Sequence, residues 1–435
     1  MITKWRARPL ILIGTTVLLT VSFISSGAAQ ASNDSEVLKQ ITLDNSSAGR
    51  LADTLKQDAA GFGGIYFDKK SQRYVITTPS IDKFDAIAKK VQSISSSTQT
   101  VQQFPVEVKT AKHSSADLNA IVDKLRDPAN ELRLRLGDTL TDWGIVASDN
   151  KVRLDVTRLD TSIVDFADQR YGDAVEFRAT DANRVATRTD KVNSVVRVAT
   201  TKTTSATKAA KLDAAPDRFL DGVPYWAGDR IGYYSNGVVT QCTSGFVAQA
   251  GMFTAGHCFD QNVTVEQGYV SGGTFYTTGN MGAVTARAWG NNQTDAESID
   301  PNASNPPGYV APAVYVTDND ALPEHAISST ISGSSFCTDG SFTGENCSGI
   351  IDIVQGCALI ENFTVCGIDT GYSSNGSRLV QHGDSGGPVE VHDTTGGLIV
   401  LGVISAGNVG DETNPGPGNN VLFSDAQFVC QINVC

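Results

Sequence analysis

Apolar positions along the first half of the chain recur with two periods. Residues 63–80, GGIYFDKKSQRYVITTPS, read as two short strands about a polar turn. Ile81, Phe84, Ile87, Val91 and Ile94 then follow at the spacing of one helix face, behind a candidate N-cap, Ser80. The same order returns further on. Residues 144–156, GIVASDNKVRLDV, give two strands about an Asp149-Asn150 turn, with Val152, Leu154 and Val156 alternating, and residues 161–172, TSIVDFADQRYG, give a short helix. Another helix is predicted over residues 115–125, SADLNAIVDKL. Two small α+β lobes describe this region.

After about Thr180 the periodicity fades. Residues 186–215 are rich in Thr, Ala, Lys and Arg and read as an easily cut linker or processing region. From about Pro216 the pattern becomes short apolar or alternating segments parted by Gly, Asn, Ser and Pro, such as IGYYSNGVV, YVAPAVYV and LIVLGVISAG. With no sustained helical period, about 220 residues of this kind predict an all-β barrel or sandwich.

Charge sharpens the division. From Pro216 onward there are 22 acidic residues and 4 arginines, a net of −18, while residues 1–215 carry 25 acids against 30 bases, a net of +5. The two halves are expected to attract each other, and the chain offers no basic surface for nucleic acid. All 8 cysteines lie in the acidic half, at positions 242, 258, 337, 347, 357, 366, 430 and 435. An even number confined to one half predicts four disulfides formed in an oxidising compartment, and no close Cys-x-x-Cys pair supports a zinc site. At the N-terminus Lys4, Arg6 and Arg8 precede an apolar run from Leu10 to Phe23 and an Ala29-Gln30-Ala31 cleavage pattern. Residues 1–31 therefore read as a signal peptide, and the rest as a secreted protein with no membrane anchor once it is removed.

The chemistry centres on residues 379–389, LVQHGDSGGPV. As Gly-x-Ser-x-Gly (Gly383, Ser385, Gly387) the stretch satisfies the nucleophile elbow of an α/β-hydrolase. That fold places its acid and then its histidine after the serine, yet only His392 follows Ser385, and about 50 residues remain. A serine hydroxyl needs a base to take its proton and a third group to orient that base. His257, in residues 252–258, MFTAGHC, is the candidate base, with Asp295 in NNQTDAESI the favoured orienting acid. Asp260 lies too close to His257 in sequence, and Asp300, Asp318 and Asp320 fall in segments that read as exposed loops or incidental calcium ligands.

TAGHC and GDSGGP, 128 residues apart from histidine to serine, resemble the histidine and serine motifs of the chymotrypsin-fold serine proteases. CTDGSFTGENC (residues 337–347) resembles a disulfide loop of the secreted bacterial branch that includes the streptogrisins and the alpha-lytic protease. The resemblance implies a double six-stranded antiparallel β-barrel over residues 216–435. It also implies an α+β pro-region over 32–180 that assists folding and blocks the site, with a linker over 181–215. Ser385 would be the nucleophile, His257 the base and then acid, Asp295 the orienting acid, and the N–H groups of Gly383 and Ser385 the oxyanion hole. The implied disulfides are Cys242–Cys258 and Cys337–Cys347; proximity then pairs Cys357–Cys366 and Cys430–Cys435. Leu379 would form the base of the specificity pocket. Ser405 and Gly407, in Ser405-Ala406-Gly407, would pair with the substrate backbone. An apolar side chain before the cleaved bond follows, because a buried cation would find no carboxylate there.

In that bacterial branch an internal arginine partners the aspartate before the serine. Here Thr338 follows Cys337, so Arg378, Arg287 and Arg230 remain as candidate partners of Asp384. The reading is a secreted serine endopeptidase made as a pro-enzyme, monomeric, without cofactor or metal, with peptides and its own pro-region as partners. A catalytically silent homologue serving as a binding module and an esterase are the rivals.

Overall fold

The computed structural model describes residues 35–43, 45–95, 103–180, 187–188, 191–194, 196–199, 218–219, 221–304, 307–410 and 416–435. The signal-peptide reading of residues 1–31 and most of the linker lie outside them. The basic half contains one supersecondary unit twice. In the first copy, helix Asn45–Lys56 precedes the hairpin Gly64–Asp68/Arg73–Thr78, and helix Phe84–Ser95 crosses over to strand Phe104–Thr110, which pairs in parallel with Arg73–Thr78. In the second, helix Ser115–Arg126 precedes the hairpin Leu140–Val146/Lys151–Val156, and helix Thr161–Tyr171 crosses to strand Val175–Ala179, parallel to Lys151–Val156. A helix between parallel strands is the connection such pairing requires.

The helix faces follow the sequence pattern with one exception. Ile87 and Val91 are buried, but Ile81 is 62% exposed, because a short 3-10 turn over Ile81–Lys83 precedes the helix and Ser80 makes no side-chain cap. Capping serves other helices. Ser114 and Asp117 form a reciprocal capping box, and Asn130 and Asp160 accept from the first turns that follow them.

The acidic half is built of strands with one short α-helix, Ala426–Val429, among its described residues. One sheet runs in the order Val247–Ala248, Gly251–Thr254, Ala296–Asp300, Thr274–Ala288, Thr264–Ser271, Arg230–Ser235, Val238–Thr243, all antiparallel. It is extended from the basic half by Lys191–Ser194 beside Val238–Thr243 and by Val196–Ala199 parallel to Thr274–Ala288. A second gathers Ser335–Gly340, Gly344–Ile360, Phe363–Ser373, Pro388–His392, Leu398–Gly407 and Asn420–Asp425. Each has its own apolar core, the first around Ile231, Met252, Val265, Val284 and Ile299, the second around Phe336, Leu379, Val389, Ile404 and Phe423. The fold is thus mostly β, with a small α+β region ahead of it.

The described residues from Ser35 onward pack as one unit, and the two halves share several ladders. Leu140–Val146 adds to the edge of Gly344–Ile360, with Trp143 opposite Cys357 and Ile145 opposite Val354. Beside it, Arg153 Nη2 and Arg178 Nη1 meet Asp352 at 2.6 and 2.8 Å. Burial works against the Asp352 carboxylate, yet the two arginines outweigh it and hold its pKa below the ordinary carboxylate range. The first lobe docks separately, where Phe67 N–H donates to the Ser332 carbonyl and Lys56 reaches Ser329.

Candidate active site

His257 follows the end of strand Gly251–Thr254, and Asp295 immediately precedes strand Ala296–Asp300, which pairs antiparallel with it. The pairing of these two strands sets residues 38 apart in sequence against each other. Close approach demands Gly256, where a β-carbon would lie 2.2 Å from the Ala288 carbonyl oxygen. Cys242–Cys258 then ties the turn to strand Val238–Thr243. The remaining cysteines form Cys337–Cys347, Cys357–Cys366 and Cys430–Cys435.

Asp295 holds His257 twice. One carboxylate oxygen accepts from the His257 backbone N–H at 2.9 Å and the other from ring Nδ1 at 2.7 Å. With its proton directed to the carboxylate, the imidazole turns the Nε2 lone pair to Ser385 Oγ, 2.7 Å away. All three residues are buried. Asp295 is itself held by Ser424, whose hydroxyl donates to the Asp295 carbonyl at 2.8 Å and accepts from its N–H at 3.3 Å. Ser405 joins this chain through Ser424 Oγ at 3.1 Å. Asp260 instead faces Arg287, and Asp318 pairs with the buried Arg218.

Ser385 sits on a turn built around Gly386, whose φ of +84° belongs to the left-handed region, and a β-carbon there would lie 1.8 Å from Thr254 Oγ1. Gly386 N–H donates to the Ile404 carbonyl and Ile404 N–H to the Gly387 carbonyl, at 2.7 and 2.8 Å. The turn is thereby fixed to strand Leu398–Gly407.

None of the three candidate arginines is bonded to Asp384. Its carboxylate accepts from the N–H groups of Gln381, Phe342 and Thr343 at 2.8, 2.9 and 3.1 Å, and from the Thr343 hydroxyl. Burial pushes this carboxyl up, and the four donors pull it back. Arg230 acts on the donors: it bonds the Ser341 carbonyl at 2.6 Å and stacks 3.6 Å over the Phe342 ring. Arg287 bonds the Gly256 carbonyl, and Arg378 the Gly416 carbonyl. Beneath this loop the buried pair Arg218–Asp339 anchors the start of the acidic half, and burial pushes Asp339 up to about 7 against the pull of the arginine.

Leu379 is wholly buried among Val380, Val409 and Val421, with its carbonyl held by the Thr338 hydroxyl at 2.8 Å. Ser405 and Gly407 lie on the edge leading away from Ser385, and that edge is occupied: Thr187–Arg188 pairs antiparallel with it, Thr187 opposite Gly407 and Arg188 opposite Ala406. Trp289 stands against the His257 ring at 5.3 Å between centroids and against Phe363 at 5.2 Å. Ser424, Trp289 and the 341–343 loop carry no motif that sequence reasoning recognises. The sulfurs near His257, and those near Glu345 and His392, are spent in disulfides, which leaves no thiolate there for a metal.

No protein-family model matches the sequence, and no curated protein matches it. Among solved structures the chain is similar to the chymotrypsin of Cellulomonas bogoriensis, at 20% identity over 47% of this chain and 93% of that one, TM-score 0.35. It is similar to Protease A of Thermobifida fusca, at 22% identity over 47% and 94%, TM-score 0.34. It is also similar to the Nocardiopsis protease, at 21% identity over 47% and 94%, TM-score 0.35. These are bacterial chymotrypsin-fold serine proteases, the same group that TAGHC and GDSGGP resemble.

Proposed function

We propose that the protein is a secreted serine endopeptidase made as a pro-enzyme. The observation that carries the reading is the Asp295–His257–Ser385 relay, with 2.7 Å on both sides of the imidazole. In this mechanism Ser385 Oγ attacks the substrate carbonyl as His257 Nε2 takes its proton, and Asp295 stabilises the imidazolium. The oxyanion that forms is received by the N–H groups of Gly383 and Ser385, a contribution of about 10²- to 10³-fold in turnover per donor. The imidazolium then gives its proton to the departing amine, leaving an acyl-enzyme that water hydrolyses by the reverse sequence. The apolar surroundings of Leu379 favour an apolar side chain before the cleaved bond.

Residues 1–31 would direct export and about 216–435 catalyse, while about 32–215 would assist folding and cover the site. The shared ladder through Trp143, the Asp352 ion cluster and the pairing of Thr187–Arg188 with Ala406 and Gly407 support that last role. A fluorophosphonate should label Ser385 of the secreted, processed protein, and a peptide library should be cut after apolar residues. Absence of both would leave the catalytically silent binding module as the better reading.

A further inference from the structure

Resting on the peptidase reading, we infer that Glu361 forms a subsite for a cationic side chain of the substrate, one residue before the one whose carbonyl Ser385 attacks. The edge of strand Leu398–Gly407 leads directly to the nucleophile, since Ile404 is bonded to Gly386 and Gly387. A chain laid antiparallel on it runs past Gly407 and Ala406 toward Ser405 and then Ser385. The protein's own residues show what the second of these positions meets. Arg188 lies opposite Ala406, and its Nε donates to Glu361 Oε1 at 3.0 Å.

Glu361 is well placed to repeat that contact with a substrate. It occupies the tight turn between strands Gly344–Ile360 and Phe363–Ser373, where Ile360 pairs with Phe363. The hairpin is stapled by Cys357–Cys366, and Phe363 packs on Trp289, which packs on His257. The turn that carries Glu361 is therefore braced against the candidate base. The Glu361 backbone sits at φ +54°, where turn chemistry favours Gly, Asn or Asp over a longer residue. Ala406, Trp289 and Phe363 form an apolar wall along which the methylenes of Arg or Lys would lie, with the charge at the rim. Removal of the basic half vacates this carboxylate on a protein surface that is acidic overall.

Two measurements test the inference. The first compares hydrolysis, by the processed enzyme, of two peptides identical except for Arg or Gln one residue before the residue at the cleaved bond. The half-exposed geometry predicts a kcat/KM about two- to fivefold higher for Arg. The ratio should fall to about one in Glu361→Gln and invert in Glu361→Lys. No preference in the parent, or an unchanged ratio in Glu361→Gln, overturns the inference. The second needs no catalysis. In the full chain carrying Ser385→Ala, hydrogen exchange at residues 187 and 188 is followed with Arg188→Gln, Glu361→Gln and both. Each single change should speed exchange about two- to fivefold, with the double no faster than either. Equal exchange in all four overturns it. Coupling in the second measurement without hydrolysis of any peptide in the first would defeat the peptidase reading and leave the cation site standing.

Discussion

Ser424 grips Asp295 at both ends of that residue, donating to its carbonyl at 2.8 Å and accepting from its N–H at 3.3 Å. The carboxylate that orients His257 is thus positioned by a hydroxyl on strand Asn420–Asp425, in the opposite sheet from His257. Replacing Ser424 by alanine leaves two buried backbone groups without these partners. The expected result is a roughly tenfold fall in kcat, about 1.4 kcal/mol, with KM little changed. A fall in KM-dependent terms alone would show that Ser424 only shapes the cleft.

Asp295→Asn keeps the shape of the site but presents an N–H to a ring nitrogen that needs an acceptor. The imidazole is then held in the wrong tautomer, and kcat should drop on the order of 10⁴-fold. Titrating fluorophosphonate labelling against pH checks this, because labelling should recover at high pH if only the base is impaired.

Asp352 makes the contact between the halves pH-dependent. Its pKa is held low in the folded chain, so its contribution is present above the ordinary carboxylate range and is lost as pH falls through the lowered value. In a Ser385→Ala chain, Asp352→Asn should lower stability by about 2 kcal/mol near neutral pH. The difference between the two chains should shrink toward zero on acidification, and in part with added salt. Denaturant titrations at several pH values would measure it, and a difference independent of pH would refute the assignment.

At Gly386 the backbone and the surroundings both exclude a side chain. An alanine there combines a left-handed φ with overlap on Thr254 and Thr243. Together these are worth about 2–5 kcal/mol. Gly386→Ala should reduce soluble yield even in a Ser385→Ala background, which separates failed folding from lost activity. Normal yield and melting temperature would show that the turn relaxes.

The motifs that were legible in sequence are those whose chemistry is local. Gly383 to Pro388 must turn sharply within six residues, so glycine and serine mark the site directly. The repeated hairpin and helix were readable because period 2 gives way to period 3.6 within one short segment. Asp384 was different. Nothing near it in sequence points to Phe342 and Thr343, about 40 residues upstream, whose backbone N–H groups hold it in place of an arginine. Backbone donors carry no residue signature, since any amino acid other than proline supplies one.

Sequence alone showed the strand-rich character of the second half and the Gly383–Pro388 and His257 turns, since each depends on neighbours within a few residues. Only the tertiary structure decided what lies between them. Trp143 adds to a sheet of the other half, Ser424 steadies Asp295, and Glu361 meets Arg188. Each joins residues more than 100 positions apart, and such pairings are set by how the sheets pack, which a linear pattern does not encode.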